Sequence, residues 1–240
     1  MKTLFIDCGI SGIAGDMALA AFTEIGADIE VISDKLKPII KEDFSLSLDR
    51  VVKKGISSTK LVIETEEEKH SHRHYSTIKK AIDESFLSES EKATALSIFE
   101  VIAIAEAKIH NSTLEKVHFH EVGGVDSMID IIGTAIAFHQ LGIERVISSQ
   151  VAVGNGYLKM AHGLYPIPAP ATLEILKNIP LLQTEIQGEL TTPTGAAIIR
   201  TLTDEFAVLP SMQVSEIGYG AGTKDFKGHP NVVRFVLGEL

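Results

Sequence analysis

Cysteine is almost absent: Cys8 is the only one among 240 residues. No intrachain disulfide can form, which excludes a disulfide-stapled secreted scaffold. A basic excess is missing too. Lys and Arg number 22 against 32 Asp and Glu, a formal net charge of −10. Nucleic-acid binding needs clustered cations to meet phosphates, so no nucleic-acid partner is expected. Long apolar runs are lacking. The run at Leu4-Phe5-Ile6 is too short for a signal peptide and is cut by Asp7. Nothing approaches the roughly 20 apolar residues that span a bilayer. A cytoplasmic protein without a membrane partner is expected. Several catalytic signatures are also missing: there is no Gly-x-Ser-x-Gly elbow, no Gly-Lys-Ser/Thr phosphate loop and no dinucleotide fingerprint.

What is present suits a folded protein. Hydrophobic residues make up 45% and charged residues 22%, enough to bury a core as one large domain or two small ones. Lys2–Cys8 reads as a short buried strand, followed by the glycine turn Gly9–Asp16 and a helix from Met17 to near Gly26. Phe44–Arg50 and Leu61–Ile63 read as strands that a hairpin could join. Glu64–His74 has no apolar anchor and reads as an exposed loop, a candidate boundary between two subdomains. Helices are expected at Tyr75–Phe86, at Glu89–His110 with a Ser88/Glu91 capping box, and at Asp126–Leu141. A strand at Val146–Val153, helices at Ala169–Asn178 and Gly195–Glu205, and strands at Met212–Gly218 and Val232–Leu237 complete the reading. The expected class is α/β, with mixed sheets and interspersed helices rather than a regular doubly wound fold.

Four segments could carry chemistry. His70, His72 and His74 alternate in the polar loop, so an extended backbone would line all three imidazoles along one edge; imidazole suits zinc, copper and nickel. The bland alternative is a solvated charged loop. Next comes His118-Phe119-His120-Glu121, followed by Asp126 and Asp130. On a strand His118 and His120 share a side, and on a helix Asp126 and Asp130 share a face. If the two meet, they make a divalent metal site with open positions; otherwise Asp126 is a helix cap and the histidines lie at the core edge. Asp130 stands out, because its neighbours Met128, Ile129, Ile131 and Ile132 are apolar and a carboxylate there needs a partner or a role. Third are two turns that open helices and could present N–H groups to an anion: the glycine turn with Gly12 and Gly15, and Thr191–Gly195 with Thr192, Thr194 and Gly195. Close packing and simple capping are the plainer readings. Last is the Gly- and Pro-rich stretch from Gly154 to Pro170, a stiff loop that could position His162.

Taken together, Ser11–Met17, Arg73-His74-Tyr75, Val117–Gly123, Val125-Asp126-Ser127, Val153–Gly156, His162-Gly163, Pro168–Thr172, Leu190–Gly195 and Gly218–Asp225 resemble one family in order along almost the whole chain. They resemble the LarC family, the nickel-insertion proteins (cyclometallases) of the lactate racemase cofactor pathway. Gly124 stands where alanine is expected. The resemblance implies a nickel chelatase of the lyase class that inserts nickel into pyridinium-3,5-bisthiocarboxylic acid mononucleotide. It further implies CTP hydrolysis with a divalent cation, Mn or Mg, and a lactate racemase or related enzyme as recipient of the cofactor. The CTP-binding C-terminal domain of full-length members is expected to be missing from these 240 residues, so activity alone is in question. Within that frame His70, His72, His74, His118 and His120 are candidate nickel contacts. Glu121, Asp126 and His162 are candidate catalytic groups, since replacing C–H by C–Ni releases a proton. Gly12, Gly15, Thr192, Thr194 and Gly195 are candidates for holding the mononucleotide. A homo-oligomer is expected. Two other readings compete: a nickel chaperone or storage module without chemistry, and a metal-dependent hydrolase built on His118, His120 and Asp126.

Overall fold

The computed structural model describes residues 1–65, 73–119, 122–160 and 163–240. In chain order the elements are β1 (Lys2–Asp7), α1 (Gly15–Glu24), α2 (Ile29–Leu36), β2 (Phe44–Lys53), β3 (Ile56–Thr65), β4 (Arg73–His74), α3 (Tyr75–Asp83) and α4 (Glu89–Ile109). They continue with β5 (His118–Phe119), α5 (Val125–Gln140), β6 (Arg145–Ser148), β7 (Val151–Asn155), β8 (Tyr157–Met160), β9 (Gly163–Pro166) and α6 (Pro170–Ile175). Last come β10 (Leu181–Gln187), α7 (Pro193–Leu202), β11 (Glu205–Phe206), β12 (Gln213–Ala221) and β13 (Val232–Glu239).

Seven strands form the main sheet in the order β11-β6-β1-β13-β12-β3-β2. It is mixed: β1 runs parallel to β6 and antiparallel to β13, and β12 runs parallel to β3. The expected mixed α/β class, without regular double winding, is what the chain forms. Alternation along β1 sends Leu4 and Ile6 into the main core with the helices, and Phe5 to the other face beside Ile147 and Val236. α1 lies on the sheet, where Phe22 meets Phe235 edge-on with ring centroids 4.8 Å apart. α5 is apolar nearly all round, which suits a helix buried between others: Ile129, Ile131, Ile132 and Ile136 are all fully buried. α4 opens with the expected capping box, Ser88 and Glu91 bonding reciprocally.

Other expectations need adjustment. The Val146–Val153 strand breaks at Ser149, and β7 leaves the main sheet to pair with β10. Local hydroxyls redirect the chain there: Ser148 Oγ donates to Ser149 O, and Ser149 Oγ accepts from Cys8 N. The helix read at Gly195–Glu205 starts two residues earlier and ends at Leu202, and the one read at Ala169–Asn178 shortens to six residues. α2, the β8–β9 hairpin and β10 were not anticipated. Glu64 and Thr65 extend β3 instead of opening a loop. Cys8 is fully buried as expected, and burial pushes its thiol far above the ordinary range. No helix among the described residues is long and apolar enough to cross a membrane.

Candidate functional site

Three helix starts meet at one place, and the junction begins at the end of β1. The Cys8 carbonyl accepts from Gly12 N at 3.0 Å and from Ala152 N at 3.1 Å, folding the glycine turn back beside β7. Gly12 has φ +66°, and a Cβ there would lie 2.2 Å from Thr191 Oγ1, so only glycine fits. Thr191 Oγ1 accepts from Ile13 N and donates to Ala152 O, while Thr192 N donates to Ile13 O. A Cβ on Gly195 would sit 2.0 Å from Ile13 O. The two turns expected to hold a ligand therefore lie side by side. Thr192 caps α7, its Oγ1 accepting from Gly195 N at 3.2 Å, with Pro193 at the first helical position. α5 closes the junction: a Cβ on Gly15 would meet Asp130 Oδ2 at 2.5 Å and Asp130 Cβ at 2.6 Å.

Between these elements lies a cavity of about 220 Å³ whose walls include Gly15, Asp16, Val122, Ser127, Asp130, Glu189, Thr192 and Thr194. Three carboxylates interact in and beside it. Burial, then the charges of Asp16 and Asp126, push the Asp130 carboxyl well above the ordinary carboxylate range, against a bond from the Asp16 backbone N–H. Burial also raises Asp16, with a smaller push from Asp126; Met17 N–H and the Lys60 charge oppose it. Asp130 Oδ1 is shut off from solvent and has no hydrogen-bond partner among the described residues. At the rim, Lys224 pairs with Glu189 at 3.8 Å.

A second cluster lies along the chain from Val122. β4 and β5 pair antiparallel with His74 opposite His118, and the two imidazoles stand 3.6 Å apart between ring centroids, tilted by 46°. Both residues are exposed. Alternation turns Phe119 inward, where it packs on Tyr75 and Phe99. Arg73 ties the ribbon to the cavity wall, donating to Gly123 O while pairing with Glu42.

The comparison with known proteins decides the family. The family model described as nickel insertion protein matches residues 4–240. This chain belongs to the nickel insertion protein family. It is 48% identical over 248 residues to the pyridinium-3,5-bisthiocarboxylic acid mononucleotide nickel insertion protein of Geobacillus kaustophilus, covering 100% of this chain and 60% of that relative. The protein of the same name from Staphylococcus epidermidis is 49% identical over 235 residues, covering 98% of this chain and 59% of the relative. That from Desulfitobacterium hafniense is 44% identical over 240 residues, covering 100% and 59%. This nickel insertion protein chain thus spans about 60% of the length of these curated relatives. No solved structure was found to match it.

Among the residues singled out in the sequence of this nickel insertion protein, Gly15, Thr192 and Thr194 line the cavity, whereas Gly12 and Gly195 hold its walls together by close backbone approach. Asp126 is exposed in the first turn of α5 and accepts from Ser127 N at 2.8 Å; the cap position is taken by Gly124, so the simple capping role does not apply. His74 and His118 come together. His70, His72, His120, Glu121 and His162 lie outside the described residues. Among the described residues no three His, Cys, Asp or Glu side chains already form a metal-holding group. Glu189 was missed, since it does not stand out from its sequence neighbours, and Ser127 was read only as part of a motif that carries the family resemblance. Asp16 entered the sequence reading only as the last residue of the glycine turn.

Proposed function

We propose that this chain is the nickel-handling portion of a nickel insertion protein, acting in the cytoplasm on pyridinium-3,5-bisthiocarboxylic acid mononucleotide. The observation that carries the reading is the convergence of Gly15, Thr192 and Thr194, three residues expected to hold the mononucleotide, on one cavity. Two helix starts, α1 and α7, point N–H groups and positive dipole ends into that region, which suits a phosphate. His74 and His118 offer two imidazoles at the surface for incoming nickel, only four positions before Val122 in the cavity wall. His70, His72 and His120 belong to the same proposed capture set.

The chemistry asked of the site is limited. Two thiocarboxylate sulfurs, softer than imidazole, take nickel from the histidines. One ring C–H is exchanged for C–Ni, and its proton goes to a base. Glu121, Asp126 and His162 are the candidate bases. CTP with Mn or Mg belongs to the longer form of the family in this reading. Its product goes to a lactate racemase or related enzyme, and the working unit is a homo-oligomer. The class is a lyase-type cyclometallase that needs the remaining part of the protein for turnover.

Nickel titration by calorimetry tests the entry point. The expected result is at least tenfold weaker binding in His74→Ala/His118→Ala than in the wild type, with a smaller loss in His70→Ala/His72→Ala. Binding that survives removal of the pair and vanishes only in the loop variant would sink this reading and favour a chaperone without chemistry.

A further inference from the structure

The connection between β12 and β13, residues 222–231, has no part in the nickel chemistry, yet it is tied down along its length. At its base Gly222 N donates to Asn231 O at 3.0 Å, and the buried Asn231 side chain donates from Nδ2 to Lys224 O at 2.9 Å. Ser11 Oγ, buried in the glycine turn, donates to Pro230 O and lies 2.7 Å from His229 Nε2. Because Pro230 O can only accept, Ser11 gives its proton there, and the His229 ring N–H donates to Ser11. Lys53 pairs with Asp225 at 2.7 Å. A Cβ on Gly188 would lie 3.0 Å from Phe226 Cε1, so that ring rests against the residue before Glu189. The loop so fixed brings one cation to the cavity. Lys224 meets Glu189 of the wall at 3.8 Å, with the lysine side chain 51% exposed and the glutamate 10%. At that distance the pair is charge attraction without a close hydrogen bond, and a half-exposed pair of this kind holds weakly.

The mononucleotide of the proposed reaction carries a phosphate and two thiocarboxylates against one ring cation, so its net charge is negative. The acidic wall residues Asp16, Asp130 and Glu189 have the wrong sign for it. Burial pushes the Asp16 and Asp130 carboxyls up, which lessens their charge, and Glu189 is answered by Lys224. We infer that Lys224 is a specificity-determining residue for this ligand: its ammonium exchanges Glu189 for the phosphate at the cavity mouth and so selects the mononucleotide over the same compound without phosphate. A compact ammonium on a flexible stem makes that exchange while the backbone stays where Ser11, Asn231 and Lys53 hold it. The N–H groups at the starts of α1 and α7 offer partial charges to an anion, and Lys224 adds a full one. The inference rests on the reading that the cavity takes the mononucleotide, and it adds the side chain that reads the phosphate.

The test titrates the full 240-residue chain, free of nickel, with pyridinium-3,5-bisthiocarboxylic acid mononucleotide and with the riboside left after a phosphatase removes its phosphate. The wild type is expected to bind the mononucleotide about tenfold tighter than the riboside. Lys224→Ala should lose about that factor for the mononucleotide, keep the riboside affinity and unfold at the wild-type temperature. Lys224→Arg should recover most of the loss. Glu189→Gln, which removes the competing carboxylate, should tighten the mononucleotide by about threefold. Lys224→Ala binding the mononucleotide as the wild type does, or losing the riboside to the same extent, would overturn the inference. Thr194→Val, in the cavity wall, separates the two levels. If it weakens both ligands while Lys224→Ala changes neither, the cavity reading stands and only the role of Lys224 falls. If the wild type binds neither ligand at millimolar concentration, or Thr194→Val leaves both affinities unchanged, the cavity reading falls and takes this inference with it.

Discussion

At the scale of single residues, Asp130 places a carboxyl where burial and like charges oppose its ionisation. Its raised carboxyl means that the native state holds a proton which the unfolded chain releases at lower pH. Its contribution is therefore most favourable below the unfolded carboxylate range and is lost as pH rises through the higher folded value. Asp130→Asn should stabilise by about 1–3 kcal/mol at pH 7–8, the gain fading towards pH 4. Urea unfolding at several pH values measures it; a pH-independent difference would point to packing instead of charge. Gly15→Ala should act the other way. The new methyl would sit 2.6 Å from Asp130 Cβ, which belongs to the helix and cannot swing aside, so a cost of about 1–3 kcal/mol is expected in the same unfolding experiment. Part of this was legible in the sequence. Asp130 was conspicuous against its apolar neighbours, and the two helix-opening turns were readable from Gly, Thr and Pro. That the turns are neighbours depends on hydrogen bonds between positions about 180 residues apart, such as Ile13 N to the Thr191 hydroxyl, and no local pattern encodes those.

At the scale of elements, local signals were reliable where they did not compete. The start of α4 is an example, since capping chemistry needs only residues three apart. Ser88→Ala should cost about 1 kcal/mol in a chemical-denaturation experiment. Glu91 does two jobs: it closes the capping box and pairs with Lys35 from α2 at 2.5 Å. Burial pushes its carboxyl up, but the Lys35 and Ser88 donors outweigh this and hold it below the ordinary range. Its stabilisation is present above the unfolded carboxylate range and is lost as pH falls through the lower folded value. Glu91→Gln should therefore be less stable than wild type at pH 7 and approach it in acid; a gap that persists at low pH would show that charge is not the cause. Where signals did compete, the reading slipped. Val146 to Val153 looks like one apolar strand, yet tertiary bonds at Ser149, whose N donates to Ile6 O and whose Oγ accepts from Cys8 N, divide it between two sheets. Short elements such as α2, capped by Asp28, offer too few turns for periodicity to register.

For the whole molecule, one apolar cluster runs from Leu4 to Leu237 and joins helices to sheet. Phe235 in central strand β13 anchors it against α1, and Phe235→Ala should cost about 3–5 kcal/mol in urea unfolding. The lone cysteine then gives this architecture a clock. Cys8 has a thiol sealed in that cluster and a carbonyl that holds both the glycine turn and β7. A colourless disulfide reagent that releases dye on reaction can reach the sulfur only when that seam parts, so the rate of colour release records how often the junction of β1, the glycine turn and β7 opens. Each molecule carries one reporter, placed by its own fold.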